Sequence, residues 1–353
     1  MKHGLPSFPI ALAWLAALAF FSACNSRGHD AAQVAAVSAP PPPPPAPARL
    51  KLIFAETNEF WTAPTLIASL TGAYTAAGLD VEVVKFPSGL AAKNAVLSGS
   101  ADIGLSALTP IAIAGFNKEP LALLATYMES DAVVKFVAKS SGPLRPEAMR
   151  NLTIGYIPGT ISEIFLDRMT EKYGIDRRKL KTATFKPTEL IPALKKGDIG
   201  GFVAWEPFPL LAASKGVGEF ADPTLYRVGL QLVVRRAALA EKGEAYRRFL
   251  SAIQASVEHL AEAPDASRAS VEKALAFEPD QLKGIWPALH FELKLDKADL
   301  VARLRVEGKW AAKAAYAKGD LPSYDDYVDT SVFETYSKVA GPRGATQRSG
   351  QSP

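Results

Sequence analysis

One pattern of alternating strand and helix signals occurs twice in this chain, and it limits the possible folds more than any other feature of the sequence. In the first copy, apolar or alternating runs predict strands at residues 50–55, 81–86 and 101–105, separated by helices at residues 64–77 and 91–97. Strands that are joined through helices form a parallel sheet. The sequence therefore predicts an α/β fold whose ligand lies at the carboxyl ends of the strands.

The second copy lies at residues 152–213 and follows the same order. It begins with a strand at residues 152–157 and a helix at residues 161–173, which opens on a predicted capping box of Thr160 and Glu163. Short motifs repeat between the copies: GLD returns as GID, and GSADIGLSA returns as GDIGGFVA. Chance among common turn residues is one explanation. Duplication is the one we favour, and it predicts two lobes that face each other across a cleft.

The chain after Arg235 carries helical signals and no third copy of the pattern. Helices are predicted at residues 236–260, 267–276, 297–318 and 324–338. We expect this segment to return to the first lobe, so that the chain crosses between lobes twice, near residues 134–139 and 228–235. The predicted organisation is lobe one at residues 50–137, lobe two at residues 138–232, and the helical return of lobe one at residues 233–338.

The first residues have the organisation of a bacterial secretory signal. A charged start and an apolar run precede small residues and Cys24, so residues 1–24 predict a signal peptide. Phe21-Ser22-Ala23-Cys24 resembles a lipobox, in which the cysteine is acylated, and an ordinary signal peptide with an incidental cysteine is the alternative. The Pro- and Ala-rich residues 25–49 predict an extended spacer, and the polar residues 339–353 predict a disordered tail. We therefore expect a periplasmic or cell-surface protein with a lipid anchor.

The composition argues against several classes of function. Cys24 is the single cysteine, so neither an intramolecular disulfide nor a thiolate metal site can form in the mature body. Of four histidines, His259 and His290 alone lie beyond the spacer, which leaves little material for a metal site or a catalytic triad. The 40 basic and 36 acidic residues are scattered, which does not suggest nucleic-acid binding. We expect a binding protein that is not an enzyme and carries no metal or cofactor.

Three predicted helix starts follow predicted strands and should converge on one cleft. They lie at residues 88–89, 109–110 and 159–160. Unpaired backbone N–H groups and the positive end of the helix dipole bind anions at such starts. Ordinary helix capping is the alternative for each start taken alone. Three starts in equivalent positions favour a site for an anionic group.

Two aromatic clusters lie in loops on the same side of the predicted sheets. Phe60 and Trp61 follow the first strand, and Trp205 and Glu206 follow the short strand of the second copy. An indole at the edge of a cleft can close over an organic ligand, and a nearby carboxylate can accept a hydrogen bond from an amine. The alternatives are core packing for the phenylalanines, Phe60 and Phe208, and a solvated position for the acids, Glu56, Glu59 and Glu206.

The order of these motifs resembles the nitrate/sulfonate/taurine-type substrate-binding proteins of ABC transporters. The resemblance covers residues 50–211 and rests on Gly78-Leu79-Asp80-Val81, GSADIG at residues 99–104, Gly159-Thr160, Gly174-Ile175 and Ala204-Trp205-Glu206-Pro207. It implies a type II periplasmic binding-protein fold, in which two α/β lobes with two hinge crossings close on a ligand and deliver it to a permease. The ligand positions that it implies are Phe60, Trp61, Ser88, Gly89, Ala107, Leu108, Thr109, Thr160, Ser162, Trp205 and Glu206.

The resemblance leaves several ligands open, because members of this family bind nitrate, alkanesulfonates, taurine, bicarbonate or a pyrimidine precursor of thiamine. An obvious cleft arginine is absent from the sequence, which disfavours a strongly charged inorganic anion. Two tryptophans and several acids favour an organic ligand. We expect a small organic anion or zwitterion of the sulfonate class bound by a monomer, and an amino-heterocycle is the alternative. The alternative from another functional class is a secreted enzyme on the same fold. A deaminase of the porphobilinogen type shares this fold, but its cofactor is attached to a cysteine, and the mature body of this chain has none.

Overall fold

The computed structural model describes residues 48–213 and 216–340. The predicted signal peptide with Cys24 lies outside the described residues, as do residues 25–47 of the predicted spacer and residues 341–353 of the predicted tail.

The described chain contains two β-sheets whose strands alternate with helices. The strands of the first sheet are β1 (Leu50–Thr57), β2 (Leu79–Phe86), β3 (Ile103–Ala107), β4 (Leu121–Ser130), β10 (Val228–Arg235) and β11 (His290–Lys294). The strands of the second sheet are β5 (Val134–Lys139), β6 (Thr153–Tyr156), β7 (Lys181–Thr184), β8 (Gly201–Trp205) and β9 (Val217–Phe220). The predicted α/β class is confirmed.

The two sheets share one arrangement of strands. The first has the order β11-β4-β10-β3-β1-β2 and the second the order β7-β6-β8-β5-β9. In the first sheet β2, β1 and β3 are parallel and β10 runs antiparallel to β3. In the second sheet β7, β6 and β8 are parallel and β5 runs antiparallel to β8. The two copies of the sequence pattern therefore form two equivalent sheets.

The chain crosses between the sheets just before the antiparallel strands β5 and β10. It leaves the first sheet after β4 and returns after β9, so the crossings lie at residues 131–133 and 221–227. The predicted lobe boundaries at residues 137/138 and 232/233 fall inside β5 and β10 and need correction by several residues. The boundaries differ because each crossing leads directly into a buried strand of the next sheet. The apolar sequence of such a strand does not show which sheet the strand joins.

The helices mostly match the predicted ones, but one predicted helix is interrupted and two others begin or end several residues from the predicted positions. They are α1 (Ala63–Leu70), α2 (Ala73–Ala76), α3 (Gly89–Ser98), α4 (Leu108–Phe116), α5 (Ile161–Lys172), α6 (Leu190–Lys196), α7 (Phe208–Ala212), α8 (Ala238–Glu262), α9 (Pro264–Ala274), α10 (Lys297–Lys313) and α11 (Ser331–Ala340). The helix predicted at residues 64–77 is interrupted at Gly72, which has a φ of 73°. The helix predicted to reach residue 318 ends at Lys313, near Ala315 with a φ of 62°. The helix predicted from residue 324 begins at Ser331.

The segment after Arg235 packs on the first sheet. Phe249 of α8 lies with its ring centroid 5.2 Å from that of Phe54 in β1 and 5.4 Å from that of Tyr74 in α2. The strand β11, which was not predicted from the sequence, pairs with β4 and forms one edge of the first sheet. We call the first sheet with its helices lobe one, and the second sheet with α5, α6 and α7 lobe two.

Candidate functional site

A narrow cavity lies between the lobes, at the carboxyl ends of β1, β3 and β8. Its free volume is about 30 Å³, which is room for one or two water molecules. Lobe one lines it with Thr57, Glu59, Trp61, Ser88, Gly89, Leu90, Leu105, Ala107, Pro110 and Leu230, and lobe two with Thr160, Ile161 and Trp205. This position is the one at which parallel α/β sheets bind ligands.

The centre of the site is Glu59, whose buried carboxylate accepts three hydrogen bonds. The Oε1 atom accepts from the indole Nε1 of Trp205 at 2.5 Å. The Oε2 atom accepts from the hydroxyl of Thr57 at 2.5 Å and from the indole Nε1 of Trp61. Since Trp205 belongs to lobe two and the other partners to lobe one, one carboxylate joins both lobes across the cavity.

Local structure explains why Glu59 points inward. Strand β1 ends at Thr57, and the chain then bends into a short 3-10 turn at Phe60–Thr62, where the N–H and the hydroxyl of Thr62 both donate to the carbonyl of Glu59. Phe60 is buried in lobe one, with its ring edge-on to Phe277 at a centroid distance of 6.0 Å. The turn therefore fixes Glu59 and Trp61 on the side that faces lobe two.

Burial raises the pKa of Glu59 to about 7, from a usual value of 4.5, although the hydrogen bonds from Thr57, Trp205 and Trp61 favour the charged form. The charge of Lys85 favours it too, but the Lys85 ammonium is paired with a second buried acid, Glu56, at 2.5 Å. Glu59 is thus a carboxyl group whose ionisation in the folded protein falls near neutral pH.

This pKa predicts a specific pH dependence of stability. Between pH 4.5 and about pH 7 the folded protein holds a proton on Glu59 that the unfolded chain has released, so stability falls as the pH rises through this range. Glu59→Gln removes this contribution. We expect the variant to gain up to roughly 3 kcal/mol relative to wild type between pH 4.5 and pH 8, measured by urea unfolding at each pH. A difference between the two proteins that does not change with pH would contradict this assignment.

Three helix N-termini reach the cavity. Ser88 caps α3 by accepting from the N–H of Ala91 at 3.3 Å, and Thr160 caps α5 by accepting from the N–H of Ser162 at 3.2 Å. The third helix, α4, begins at Leu108, immediately after Ala107. The positive ends of three helix dipoles therefore lie around one cavity, opposite in sign to the charge of Glu59.

Gly89 allows α3 to approach β3 at the cavity wall. A Cβ atom at this position would lie 3.1 Å from the Cα of Ser106 and 3.3 Å from the carbonyl oxygen of Leu105. Both are backbone atoms of a buried strand and have little freedom to move. A larger residue would therefore push the N-terminus of α3 away from the cavity.

A second set of contacts joins the lobes outside the cavity. Trp310 of α10 donates from its indole Nε1 to Asp167 of α5 at 2.9 Å, and the hydroxyl of Tyr316 donates to Glu163 at 2.5 Å. The carboxylate of Glu163 also accepts from the N–H of Gly159 at 2.9 Å. The predicted capping box is therefore half correct: Thr160 caps α5, but Glu163 bonds to Gly159 and Tyr316 and not to the N–H of Thr160.

The structure brings six of the eleven sequence-predicted ligand positions together around the cavity. These are Trp61, Ser88, Gly89, Ala107, Thr160 and Trp205. Their contact with a ligand remains a prediction.

Five predicted ligand positions do not line the cavity, and each has another partner. Phe60 and Leu108 pack in the core of lobe one, as the alternative for Phe60 anticipated. Thr109 donates to the buried carboxylate of Glu307 at 2.5 Å. Ser162 donates to the carbonyl of Val203 at 2.6 Å.

A hydrogen bond to the ligand was predicted for Glu206, and in this structure its carboxylate has two other partners. Its Oε1 atom lies 2.9 Å from the ammonium of Lys135, and its Oε2 atom accepts from the N–H of Leu210 at 2.9 Å. Glu206 is nevertheless buried, not solvated as the alternative held. The carboxylate next to the tryptophans is Glu59. The sequence placed Glu59 in the right loop, but only the fold shows that Trp205 reaches it.

The described residues contain no group of three or more His, Cys, Asp or Glu residues that could hold a metal ion. In the same part of the chain, no helix is both long and apolar enough to cross a membrane.

Comparison with a protein-family profile gives a match over residues 60–267, and the family is described as NMT1/THI5 like. The chain is 29% identical over 161 residues to the taurine-binding periplasmic protein of Escherichia coli (strain K12). That alignment covers 42% of this chain and 48% of the relative, so the chain matches about half the length of this curated protein.

Solved structures share the fold at low sequence identity. The periplasmic aliphatic sulphonate binding protein SsuA from Escherichia coli superposes with a TM-score of 0.67 and 16% identity, over 82% of this chain and all of that one. The alkanesulfonate-binding protein SsuA from Xanthomonas axonopodis pv. citri, solved with MOPS bound, gives 0.68 and 15% over 80% of this chain and 98% of that one. The periplasmic nitrate-binding protein NrtA from Synechocystis PCC 6803 gives 0.65 and 15% over 83% and 90%. The expected periplasmic binding-protein fold is confirmed.

Proposed function

This chain belongs to the NMT1/THI5 like family, and from that membership we propose that it is the extracytoplasmic solute-binding component of an ABC importer. It binds a small organic ligand between its lobes and delivers it to a permease. In this proposal the protein binds and releases the ligand without catalysing a reaction on it. The names of the relatives support it, since they describe periplasmic proteins that bind taurine, sulfonates or nitrate.

The observation that carries this proposal is the meeting of two indole N–H groups from opposite lobes on the carboxylate of Glu59. Trp61 and Trp205 are 3% and 4% exposed, so their rings wall the cavity with apolar surface while their N–H groups supply fixed donors. An apolar cavity with few converging polar groups is the usual form of a small-molecule site. A ligand that separates the two rings would contact both lobes at once.

Binding requires the lobes to move. A free volume of about 30 Å³ does not admit an organic solute, so a ligand enters when Trp205 and Glu59 separate. The crossings at residues 131–133 and 221–227 are the connections about which such an opening turns. A ligand that contacts both lobes binds the closed form more tightly than the open form, and this difference in affinity drives closure.

The ligand class that we propose is a small organic anion or zwitterion of the sulfonate and taurine type. The three helix N-termini support it, because they favour a negatively charged group at the cavity. An amino-heterocycle is the second candidate, supported by the two indole rings and the acceptor on Glu59. A thermal-shift panel of sulfonates, taurine, nitrate, bicarbonate, amines and heterocycles tests the proposal.

The melting temperature is expected to rise with ligand concentration, as RT ln(1 + [L]/Kd) requires for a ligand that binds the folded form alone. A compound of the panel should produce this rise in the wild type and a much smaller one in Trp205→Ala. Equal rises in the two proteins would place the binding site away from the cavity and would contradict the proposed function.

The lipid anchor at Cys24 remains a prediction, since that residue lies outside the described part of the chain. Cells that express the wild-type protein should retain it in the membrane fraction, because Cys24 is the single thiol available for acylation. Cys24→Ala should release the protein or block its processing. Cys24→Ser also lacks the thiol but alters the residue's volume less, so it should give the same result if acylation, and not side-chain volume, is the cause. Identical fractionation of wild type and variants on immunoblots would rule out acylation at this residue.

A further inference from the structure

We propose that Glu59 determines ligand specificity by accepting a hydrogen bond from a cationic or strongly polarised N–H group, so that the site selects amino-bearing ligands over simple anions. This inference rests on the proposed function and narrows its ligand class. The feature common to the candidate ligands is an amine or amidine-like nitrogen on a small molecule. A zwitterion such as taurine and an amino-heterocycle both carry it.

The charge balance of the cavity supports this role. Glu59 is the acid among the lining residues, and no lysine, arginine or histidine lines the cavity with it. The ammonium of Lys85, whose charge acts on Glu59, lies 2.5 Å from Glu56, so its own partner is a different carboxylate. A buried carboxylate without a cationic partner is costly. A ligand that brings a positive nitrogen supplies the missing partner.

The hydrogen bonds of Glu59 leave one acceptor position of its carboxylate unused. A carboxylate offers about four acceptor positions. In Glu59 the structure shows two donors on Oε2, Thr57 and Trp61, and one donor on Oε1, Trp205. The Oε1 atom, which faces lobe two, can therefore accept one more hydrogen bond. The two donors on Oε2, the hydroxyl of Thr57 and the indole of Trp61, belong to lobe one and hold the carboxylate in position when Trp205 moves away.

The same site opposes a simple anion. A sulfonate or nitrate in the cavity would lie near an ionised Glu59, and like charges repel strongly where burial lowers the effective dielectric constant. A zwitterion avoids this repulsion, because its amine lies at Glu59 while its anionic group lies at the N-termini of α3, α4 or α5. A neutral amino-heterocycle avoids it as well.

Two matched ligand pairs test the inference on the wild-type protein. Taurine is compared with ethanesulfonate, and 4-amino-2-methylpyrimidine with 2-methylpyrimidine, so that each pair differs only in the amino group. We expect at least one amino compound to bind 10-fold or more tightly than its partner in calorimetric titrations. The pair that shows this preference identifies the source of the N–H group.

Variants of two buried acids provide a test of Glu59 and a matched control. Glu59→Gln is expected to weaken binding of the preferred amino compound 10-fold or more and to remove the preference within the pair. Glu56→Gln changes an equally buried acid of the same segment that does not line the cavity, and it should keep the preference. Melting temperatures of both variants show whether each is folded, and the comparison of ligands on the wild type holds even if a variant is not.

The measurements distinguish a site in which Glu59 has no role in selectivity from a protein that does not bind ligands in the cavity at all. If ethanesulfonate binds as tightly as taurine, and the two pyrimidines bind as tightly as each other, Glu59 does not select for the amino group and the inference is overturned. Tight binding of nitrate or bicarbonate with none of the four compounds bound overturns it too. In either case loss of binding in Trp205→Ala would still support the cavity as the site. Binding that Trp205→Ala leaves unchanged overturns the proposed function itself.

Discussion

Replacing Trp205 by alanine should weaken ligand binding by at least ~30-fold, which corresponds to about 2 kcal/mol. Trp205 is the lining residue of lobe two that reaches Glu59 of lobe one directly, through a 2.5 Å hydrogen bond. Its loss removes an aromatic wall of the cavity and a direct bond between the lobes at once. The affinity is measured by titration calorimetry with the compound that the ligand panel identifies.

Two further properties of Trp205 decide how the measurement is controlled. The side chain is 4% exposed and packs edge-on against Phe208 at a centroid distance of 6.0 Å, so alanine should lower the melting temperature as well as the affinity. Trp205→Phe keeps a ring of similar shape but cannot donate to Glu59. An affinity in this variant between those of wild type and Trp205→Ala would separate the hydrogen bond from the ring. Unchanged affinity in the alanine variant would remove Trp205 from the site.

The second large effect concerns the fold: Phe249→Ala should lower the free energy of unfolding by about 3–5 kcal/mol. Phe249 of α8 is fully buried, and its ring packs against Phe54 of β1 and Tyr74 of α2. The variant removes a contact through which α8 packs on the first strand of lobe one. Denaturant unfolding measures the loss.

The matched control is Val306→Ala on α10, a residue that is 53% exposed, where we expect a change within about 0.5 kcal/mol. Because Phe249 does not line the cavity, the folded Phe249→Ala protein should bind its ligand with nearly wild-type affinity. A loss of stability below about 1 kcal/mol would mean that α8 does not complete the core of lobe one.

Much of this architecture could be predicted from the sequence because the signals are local. The apolar or alternating runs at β1, β2, β6 and β8 and the glycines that end α3 and α6 fix the element order in both copies. The loops after these strands then had to lie on one side of each sheet, which is why Trp61, Ser88, Thr160 and Trp205 were predicted together and line the same cavity.

The rest depended on contacts between distant parts of the chain. The strands β5 and β10 each follow a crossing and run antiparallel in their sheets, and their sequences carry no sign of this pairing. The edge strand β11 is short and lies within a segment of helical character. Glu59 and Glu206 both follow strands and are alike in type, yet Lys135 pairs with Glu206 whereas the tryptophans donate to Glu59. Sequence spacing alone could not distinguish these two acids.

A crystal structure of the protein, grown with the compound that the panel identifies, would show directly where the ligand binds. We expect ligand density between Trp61 and Trp205, with a donor atom of the ligand within hydrogen-bond distance of Glu59. Ligand density at any other surface, with Glu59 and Trp205 still bonded to each other, would contradict it.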